Sequence, residues 1–460
     1  MKIHASKPLF AWDCLEASPT LGLLQEFLES LPDAELLDAL ERHRAKGRND
    51  YPVTVCWGIC MLRIACRQVS MDGMLEELHR NPVLAYMIGI EAESQIPDKY
   101  NMSRFEEVLG LPQHVTLLHK MFNAMVARLG GAVQDLGRHL AGDASALHAR
   151  PSRKADGDHP DLPLACAGKK EYVDDDGNVT ETYEWFGYKF HLIVDTRHEV
   201  AVGYRITAAN VDDGKALPDV LADVRENLGD AALDRDAGSS HRRIETLAYD
   251  KACDRNEVHA LLARHGIAGV IETRALWKEN PERMLPGDDG NENIVYDEEG
   301  TLYCYDKVSD PPVRHRMAYF GYEKDRDTLK YRCPARHQGW LCPSDERCNG
   351  GKKYGKTKRV ACEIEPRRFC RVPRGTKKFQ RLYNGRTAVE RANSRLKVFW
   401  GIDDGNVTGN QRFAAKFATV MLTHITFATM LAGAERWEGT LSQTRLSPIA
   451  QALRETPARR

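Results

Sequence analysis

The sequence lacks a marked net charge and an unbroken hydrophobic run long enough to cross a membrane. Its 65 Lys and Arg and its 66 Asp and Glu leave a formal net charge of −1. A protein that contacts nucleic acid over most of its surface is usually strongly basic, so any DNA-binding charge here must be local. The most apolar segment, residues 413–432, is interrupted by Lys416 and His424. It is short for a bilayer span, and we expect a buried core helix.

A secretory signal and the paired cysteines of a zinc ribbon are also absent. The first twenty residues contain no apolar core of a signal peptide, which predicts a protein that starts in the cytoplasm. Without export, the 12 Cys residues are expected to be reduced thiols or metal ligands and not a disulfide scaffold. The length of 460 residues exceeds the size at which one core stops growing, which predicts two or three packed units.

The N-terminal part of the chain has the spacing of helices. Between residues 18 and 130, apolar residues recur at intervals of three and four, with short polar or Pro-bearing breaks. Ser70 and Ser103 precede two of these stretches and are candidate N-caps. We therefore predict an all-α domain over residues 1–133. Its function stays open between a generic bundle and a module that reads DNA ends.

After residue 134 the pattern changes to strands and helices in alternation. The runs at about 186–195 and 200–207 alternate like strands and are joined by a short polar link, which predicts an antiparallel hairpin. A helix over residues 215–227 leads to a strand that ends at Asp250, and a helix over 257–265 leads to the next strand. This order predicts an α/β domain with a mixed sheet and flanking helices over residues 134–275.

Residues 276–378 interrupt this pattern with Gly, Pro, Asp and short β-type runs, and they predict a β-rich insertion. The spacing of helices resumes over residues 379–435, which we expect to complete the α/β domain. A polar tail follows over residues 436–460. From Lys352 to Arg381 there are twelve cations and two acids, so twelve minus two leaves ten positive charges in thirty residues. Four lysines are the candidate phosphate contacts, with a solvated basic loop as the alternative. They are Lys352, Lys353, Lys356 and Lys358.

The same insertion is rich in cysteine. Its spacings match no paired-cysteine ribbon, so a structural zinc ion and a group of buried thiols both remain open. Cys304 lies upstream and His337 lies inside the span. The candidate zinc ligands are Cys333, Cys342, Cys348, Cys362 and Cys370.

Glu390 is the centre of the most specific pattern. Tyr383, Arg386 and Lys397 stand at offsets of −7, −4 and +7 from it. On one helix of roughly 100° per residue, all four would share a face. From spacing alone, an amphipathic helix with an Arg386–Glu390 ion pair explains the same residues.

The order Tyr, two residues, Arg, three residues, Glu, six residues, Lys resembles the signature of bacterial insertion-sequence DDE transposases, which have a ribonuclease-H-like catalytic domain. Other matches are the Gly187-Tyr188-Lys189-x-His191 strand and the Asn210-Val211-x-Asp213 motif. The segment AYDKACDRNEV matches around Asp250, but Ala252 and Cys253 replace Gly and Tyr. The similarity covers about residues 134–275 and 379–432.

The resemblance implies a catalytic triad of Asp143, Asp250 and Glu390. It implies two Mg²⁺ or Mn²⁺ ions, for which carboxylates are suitable hard ligands, and end cleavage followed by strand transfer. Asp213 and Asp254 are rival acids, and we prefer Asp143 and Asp250 because each is expected to end a β-run. The candidate DNA contacts beside the metals are Tyr383, Arg386, Lys397, Lys189 and His191.

As partners, the resemblance implies double-stranded DNA, both transposon ends and target, and a homodimer on paired ends. It implies a bacterial, nucleoid-associated location. Two alternatives remain from the residues: a nuclease of the same fold that cuts DNA without joining it, and a domesticated derivative that binds DNA without cutting. The intact triad argues against the second.

Overall fold

The predicted change from helices to mixed strands and helices is present in the computed structural model. The structure describes residues 19–45, 50–150, 158–173, 178–228, 244–274, 277, 280–286, 293–306, 308–404, 407–433 and 440–441. The predicted tail 436–460 lies outside these residues except for 440 and 441. Residues 1–18 of the predicted helical domain lie outside them as well.

Seven helices precede the first strand in this part of the chain, and the others lie between strands or after them. The helices are Pro19–Glu29 (α1), Ala34–Arg44 (α2), Val53–Ala65 (α3), Met71–Arg80 (α4), Pro82–Met87 (α5), Lys99–Leu109 (α6), Pro112–Ala132 (α7), Asp213–Leu228 (α8), Asn256–Arg264 (α9), Pro334–Gln338 (α10), Asp345–Asn349 (α11), Lys377–Asn384 (α12), Thr387–Ser394 (α13) and Asn410–Gly433 (α14).

The strands form three sheets. They are His139–His148 (β1), Cys166–Val173 (β2), Val179–Asp195 (β3), Ala201–Ala208 (β4), Thr246–Tyr249 (β5), Ala268–Ile271 (β6), Glu282–Met284 (β7), Ile294–Asp297 (β8), Leu302–Tyr305 (β9), Arg314–Arg316 (β10), Ala318–Glu323 (β11), Thr328–Arg332 (β12) and Thr357–Ala361 (β13). The largest sheet has the order β2-β3-β1-β5-β6, with β4 paired to β3, and the insertion supplies β10-β9-β8-β7 and β11-β12-β13.

The chain divides into two compact units, and β1 contributes to both. Unit 1 comprises residues 1–137, 144–243 and 388–460, and unit 2 comprises residues 138–143 and 244–387. The insertion therefore belongs to the same unit as β5, α9 and β6. The five-segment division predicted from the sequence stays a prediction.

Unit 1 is built around α14. Twenty-one of its residues are buried, so the predicted core helix is confirmed. This helix is long and apolar enough to cross a membrane by composition alone, but its apolar window is wholly buried inside the protein. Phe427 stacks on Phe27 with ring centroids 4.6 Å apart. The hydroxyls of Thr423, Thr426 and Thr429 donate to carbonyls four residues earlier, so these buried polar groups are satisfied.

The sheet of unit 1 contains the predicted hairpin. Strands β3 and β4 are antiparallel from Tyr188–Ala208 to Val194–Ala201. Asp195 ends β3, and its buried carboxylate accepts the backbone N–H groups of Gly137 and His198 at 2.8 and 2.6 Å. The bond to Gly137 holds the backbone just before the start of β1.

Of the two predicted N-caps, one is confirmed and one is wrong. The Ser70 side chain accepts from the Gly73 N–H at 3.0 Å and begins α4. In contrast, α6 begins four residues before Ser103, where the Asp98 carboxylate accepts from the Asn101 N–H at 2.8 Å. Asp is as good an N-cap as Ser, and the earlier residue takes the position. The Ser103 hydroxyl instead accepts from the Arg412 guanidinium at 2.6 Å.

Unit 2 joins three parallel strands to the predicted β-rich insertion. Strand β5 pairs in parallel with β1 on one side and with β6 on the other. The insertion has its own small core, formed by side chains from both of its sheets. This core includes Ile294, Tyr296, Leu302, Leu329, Tyr331, Val360 and Phe369.

Candidate active site

Two acids predicted for catalysis lie at the same level of neighbouring parallel strands in unit 2. The register of β1 and β5 pairs His139 with Thr246 and Ala141 with Ala248. Two residues further along each strand are Asp143 and Asp250. Neighbouring strands are about 4.8 Å apart, and residues at the same level project to the same face. The register therefore brings the backbones of the two acids together, and both side chains are half-buried.

Asp250 directly follows β5, as predicted. Its backbone stays extended, with φ −61° and ψ 152°, and its carboxylate accepts from the Ala252 N–H at 3.1 Å. Asp143 differs from the prediction, because it does not end a β-run but lies in the middle of β1. The strand continues through residues that pair with β3, and no local sequence signal marks the point where β1 leaves β5.

Gly142, next to Asp143, permits close packing of the two strands. A Cβ at this position would lie 2.0 Å from the Cε2 atom of Tyr249, so the ring occupies the space above the glycine. Tyr249 is the residue before Asp250 and is buried. Gly142 and Tyr249, the residues directly before the two acids, therefore pack on each other.

A third acid in this row was missed from the sequence. Tyr249 pairs with Ile271 in the register of β5 and β6, so the next residues, Asp250 and Glu272, are again at one level. Glu272 is exposed. The signal that would have found it is the one used for Asp250, an acid directly after a buried β-run, here in the sequence GVIETR.

Tyr383 and Arg386, two residues of the pattern that resembles a transposase signature, lie beside these acids. Burial raises the pKa of Tyr383 to about 12, helped by the charge of Glu272, a hydrogen bond with that carboxylate and the charge of Asp250. The Arg386 guanidinium carbon is 5.9 Å from the centroid of the Tyr383 ring. A phenol and a guanidinium next to carboxylates suit a site that binds phosphate.

The prediction that the whole signature shares one helical face is wrong. Helix α12 ends at Asn384, Arg386 lies in the following turn, Glu390 lies on α13, and Lys397 lies in a π-helical turn, Arg395–Phe399. The Gly385 and Arg386 N–H groups bond to carbonyls three residues back, which tightens the end of α12. Glycine and a π-turn both interrupt the α-helical period, so offsets along the sequence do not measure angles here.

Glu390 and Lys397 belong to unit 1, where their segment is tied to the β3–β4 turn and to β1. Arg391 and Arg395 bind the Glu199 carboxylate at 2.6 and 2.9 Å. The Lys397 ammonium donates to the Ala146 carbonyl at 2.7 Å. Glu390 is exposed. Convergence of Glu390 with Asp143 and Asp250 stays a prediction.

Lys189 and His191, predicted as DNA contacts, both have partners within unit 1, and their contact with DNA stays a prediction. The Lys189 ammonium donates to the Val211 carbonyl at 2.8 Å and to Asp213 at 3.1 Å. His191 is 1% exposed and bonds to the Thr207 hydroxyl at 2.9 Å, and burial lowers its pKa to about 4. Both side chains stabilise the sheet face, which the alternating pattern alone could not distinguish from a site.

Of the two rival acids, Asp213 is paired with Lys189, and Asp254 is the centre of a buried network. The Asp254 carboxylate accepts from His259 at 2.9 Å, Arg367 at 2.8 Å and Arg374 at 3.0 Å. Burial by itself would raise the pKa of Asp254, but the hydrogen bonds from His259 and Arg367 hold it well below its usual range. A carboxylate so fully bonded has no lone pair for a metal ion, which supports the preference for Asp250.

The predicted basic segment carries much less free charge than its composition indicates. Five of its arginines form ion pairs with acids that lie outside the counted window. These pairs are Arg359–Glu323, Arg367–Asp254, Arg368–Glu298, Arg371–Asp327 and Arg374–Asp254.

The four candidate lysines differ in exposure. Lys352 and Lys353 are exposed, whereas Lys356 and Lys358 are half-buried. Burial lowers the pKa of Lys358. Lys352 and Lys353 are therefore the better candidates for phosphate contacts.

In the described part of the chain each cysteine is free of a disulfide bond. Of the five candidate zinc ligands, Cys333, Cys342 and Cys348 line one cavity together with Cys304. Cys362 lies elsewhere in the insertion core, and Cys370 contacts His259 at 3.8 Å. Among the described residues, no group of three or more His, Cys, Asp or Glu side chains is already arranged to hold a metal ion.

The described sheet thus places Asp143, Asp250 and Glu272 at one level of three neighbouring parallel strands. The family model described as Transposase DDE domain matches residues 137–425, and one described as Transposase domain (DUF772) matches residues 14–107. The first covers more than half of the chain, so the protein belongs to the DDE transposases. It is a DNA transposase, an enzyme that cleaves DNA and transfers strands, in a family that generally uses divalent metal ions.

No curated protein matches the sequence. A similar solved structure is that of the piggyBac transposase synaptic complex with hairpin DNA, at 12% identity and a TM-score of 0.36. The match covers 97% of this chain and 84% of that chain.

Proposed function

We propose that Asp143, Asp250 and Glu390 are the catalytic carboxylates of this transposase and bind two Mg²⁺ or Mn²⁺ ions. The observation that carries the proposal is the register of β1 and β5, which supports a shared site for Asp143 and Asp250. Glu390 is included as the third carboxylate because of its position in the pattern that resembles the transposase signature. Carboxylate oxygens are the ligands such ions prefer, and the half-buried Asp pair fits them. When bound, the ions would activate the attacking hydroxyl and stabilise the leaving oxygen of an in-line displacement.

The protein's own side chains would position the DNA. Arg386 is proposed to bind a phosphate beside the acids, with Tyr383 held in place by its hydrogen bond to Glu272. Lys397 would hold the end of the Glu390 segment through its hydrogen bond to the Ala146 carbonyl. To contact a phosphate, the Lys397 ammonium would have to break this hydrogen bond. Such contacts fix the position of DNA without reading its sequence. We further propose that the protein acts as a homodimer on paired transposon ends and is nucleoid-associated in a bacterial cytoplasm.

The test replaces each proposed ligand by its amide: Asp143→Asn, Asp250→Asn and Glu390→Gln. The substrate is duplex DNA carrying the inverted repeats that flank the gene. Cleavage in Mg²⁺ should fall below detection for each variant, while binding of the same DNA, measured by gel shift, should persist. Asp325→Asn, at an exposed acid of the insertion, is the control and should cleave normally.

Glu272→Gln is the matched comparison for the third ligand. It keeps the size of the side chain at an acid in register with Asp250, so it should weaken DNA binding through Tyr383 but retain cleavage. If Glu272→Gln abolished cleavage and Glu390→Gln did not, the third carboxylate would be Glu272 and the role of Glu390 would be rejected.

A further inference from the structure

Four cysteines line one small cavity in the insertion. Cys304 lies in the central part of the four-stranded sheet, on β9 between β8 and β10. Cys333 directly follows β12, Cys342 lies between α10 and α11, and Cys348 lies on α11. The cavity measures about 30 Å³. A water molecule needs about 10–15 Å³ on this measure, so the space accepts one small ion.

The segment that supplies three of these cysteines has almost no hydrophobic core. Between residues 333 and 356, only Pro334, Ala335, Ser344 and Asn349 are buried, and Leu341 is 96% exposed. Two five-residue helices in such a segment are far too short to be stable by themselves. Small units of this kind are usually held by a disulfide or a metal ion, and these thiols are free.

From this arrangement we infer that the insertion binds one structural zinc ion through Cys304, Cys333, Cys342 and Cys348. Four thiolates are a common ligand set of structural zinc sites. The ion would connect the four-stranded sheet to the segment after β12. The site differs from the set expected from the sequence, because Cys304 takes part, whereas Cys362 and Cys370 lie outside the cavity.

The surroundings of the thiols also suit a zinc site. The Asn349 amide donates to the Cys333 sulfur at 3.7 Å, and the Asn293 amide approaches the Cys348 sulfur at 4.0 Å. Amide donors stabilise ligated thiolates, and Lys356 also lines the cavity and would offset part of their negative charge.

Proton balance gives a direct signature of binding. A thiol must lose its proton to ligate zinc. Zn²⁺ and four thiolates give a complex of charge −2, and each thiol that is protonated before binding releases one proton. Binding would also require the side chains to rotate inwards, because among the described residues no three or more His, Cys, Asp or Glu side chains are already arranged to hold a metal ion.

The experiment uses the full chain, purified after expression with added zinc, and measures bound metal by mass spectrometry. We expect about one zinc per chain. After exchange to Co²⁺, the protein should show the visible bands of tetrahedral cobalt and strong sulfur-to-cobalt charge transfer. Titration of the metal-free protein with zinc should release protons. A chain without stoichiometric zinc, or a cobalt spectrum without sulfur ligation, would overturn the inference.

Variants identify the ligands. Cys304→Ser, Cys342→Ser and Cys348→Ser should each lose most of the bound zinc, whereas Cys166→Ser, in unit 1, should retain it. His315 also lines the cavity, and His315→Ala should keep the zinc if the four thiols suffice. Loss of zinc in a folded Cys362→Ala variant, with retention in Cys304→Ser, would reject this ligand set. Folding of each variant is checked by circular dichroism, and the cobalt spectrum of the unmodified chain decides the matter without any variant.

Discussion

Asp250 and Asp254 lie at the two ends of the short turn that follows β5, and their carboxylates have different partners. Asp250 is half-buried and accepts one hydrogen bond from a backbone N–H two residues away. The side chain of Asp254 has no exposed surface and binds His259, Arg367 and Arg374. An acid whose lone pairs are already bonded supports the fold, and an acid with free lone pairs can bind a ligand. The comparison separates a structural carboxylate from a candidate catalytic one.

The largest expected effect on stability comes from Asp254. Asp254→Asn leaves Arg367 and Arg374 without their shared counter-charge, and breaking a buried ion pair by removing one partner costs about 3–5 kcal/mol. We expect a loss of this size in the free energy of unfolding, measured by urea denaturation. Asp250→Asn is the control and should change stability by less than about 0.5 kcal/mol, as is usual for a site without buried partners. Equal losses in both variants would remove the distinction.

The pH dependence of stability gives a second way to test Asp254. Its pKa is lower in the folded protein than its ordinary value. The stabilisation is therefore present above the unfolded pKa of about 3.9 and is lost as the pH falls through the folded pKa. The unmodified protein should lose stability on acidification below about pH 4 more steeply than Asp254→Asn. Parallel curves in denaturation experiments from pH 2 to 5 would show that Asp254 is not the responsible group.

A smaller effect is expected at Gly142, next to the proposed catalytic acid Asp143. In Gly142→Ala the new Cβ would meet the Tyr249 ring at 2.0 Å. The ring must move, and overpacking of this kind costs about 1–3 kcal/mol. Because Tyr249 precedes Asp250, cleavage should fall as well as the melting temperature. Gly131→Ala, in α7 with no atom within 4 Å of the new Cβ, is the control and should raise stability slightly.

The smallest effect concerns the basic segment. Replacing the exposed Lys352 and Lys353 by Gln should reduce the slope of log binding constant against log salt by about 0.9 for each duplex phosphate that these lysines neutralise. All DNA sequences should be weakened alike, because phosphate contacts carry no sequence information. Arg359→Gln, at an arginine paired with Glu323 at 2.7 Å, should leave the slope unchanged. An unaltered slope in the Lys352 and Lys353 variant would make this segment a solvated loop.

Features that depend on neighbouring residues were predictable from the sequence. The hairpin of β3 and β4, the core helix α14, the Ser70 cap and the strand before Asp250 all follow from local spacing or a local hydrogen bond. The errors arose where two local signals compete or where a period is broken. Asp98 precedes Ser103 as a cap, and Gly385 separates Tyr383 from the helix of Glu390.

The sequence by itself determined the class of fold and the resemblance to the transposase family, and it supplied Asp143, Asp250 and Glu390 as candidate acids, because apolar period and residue type are properties of short segments. Only the tertiary structure decided which acids stand together. The register of β1, β5 and β6 aligns Asp143, Asp250 and Glu272, although these residues are far apart in the chain. It also decided which charges are neutralised, since the partners of Arg367 and Arg374 lie more than a hundred residues away. Strand register and ion pairing are set by long-range packing, which local patterns do not contain.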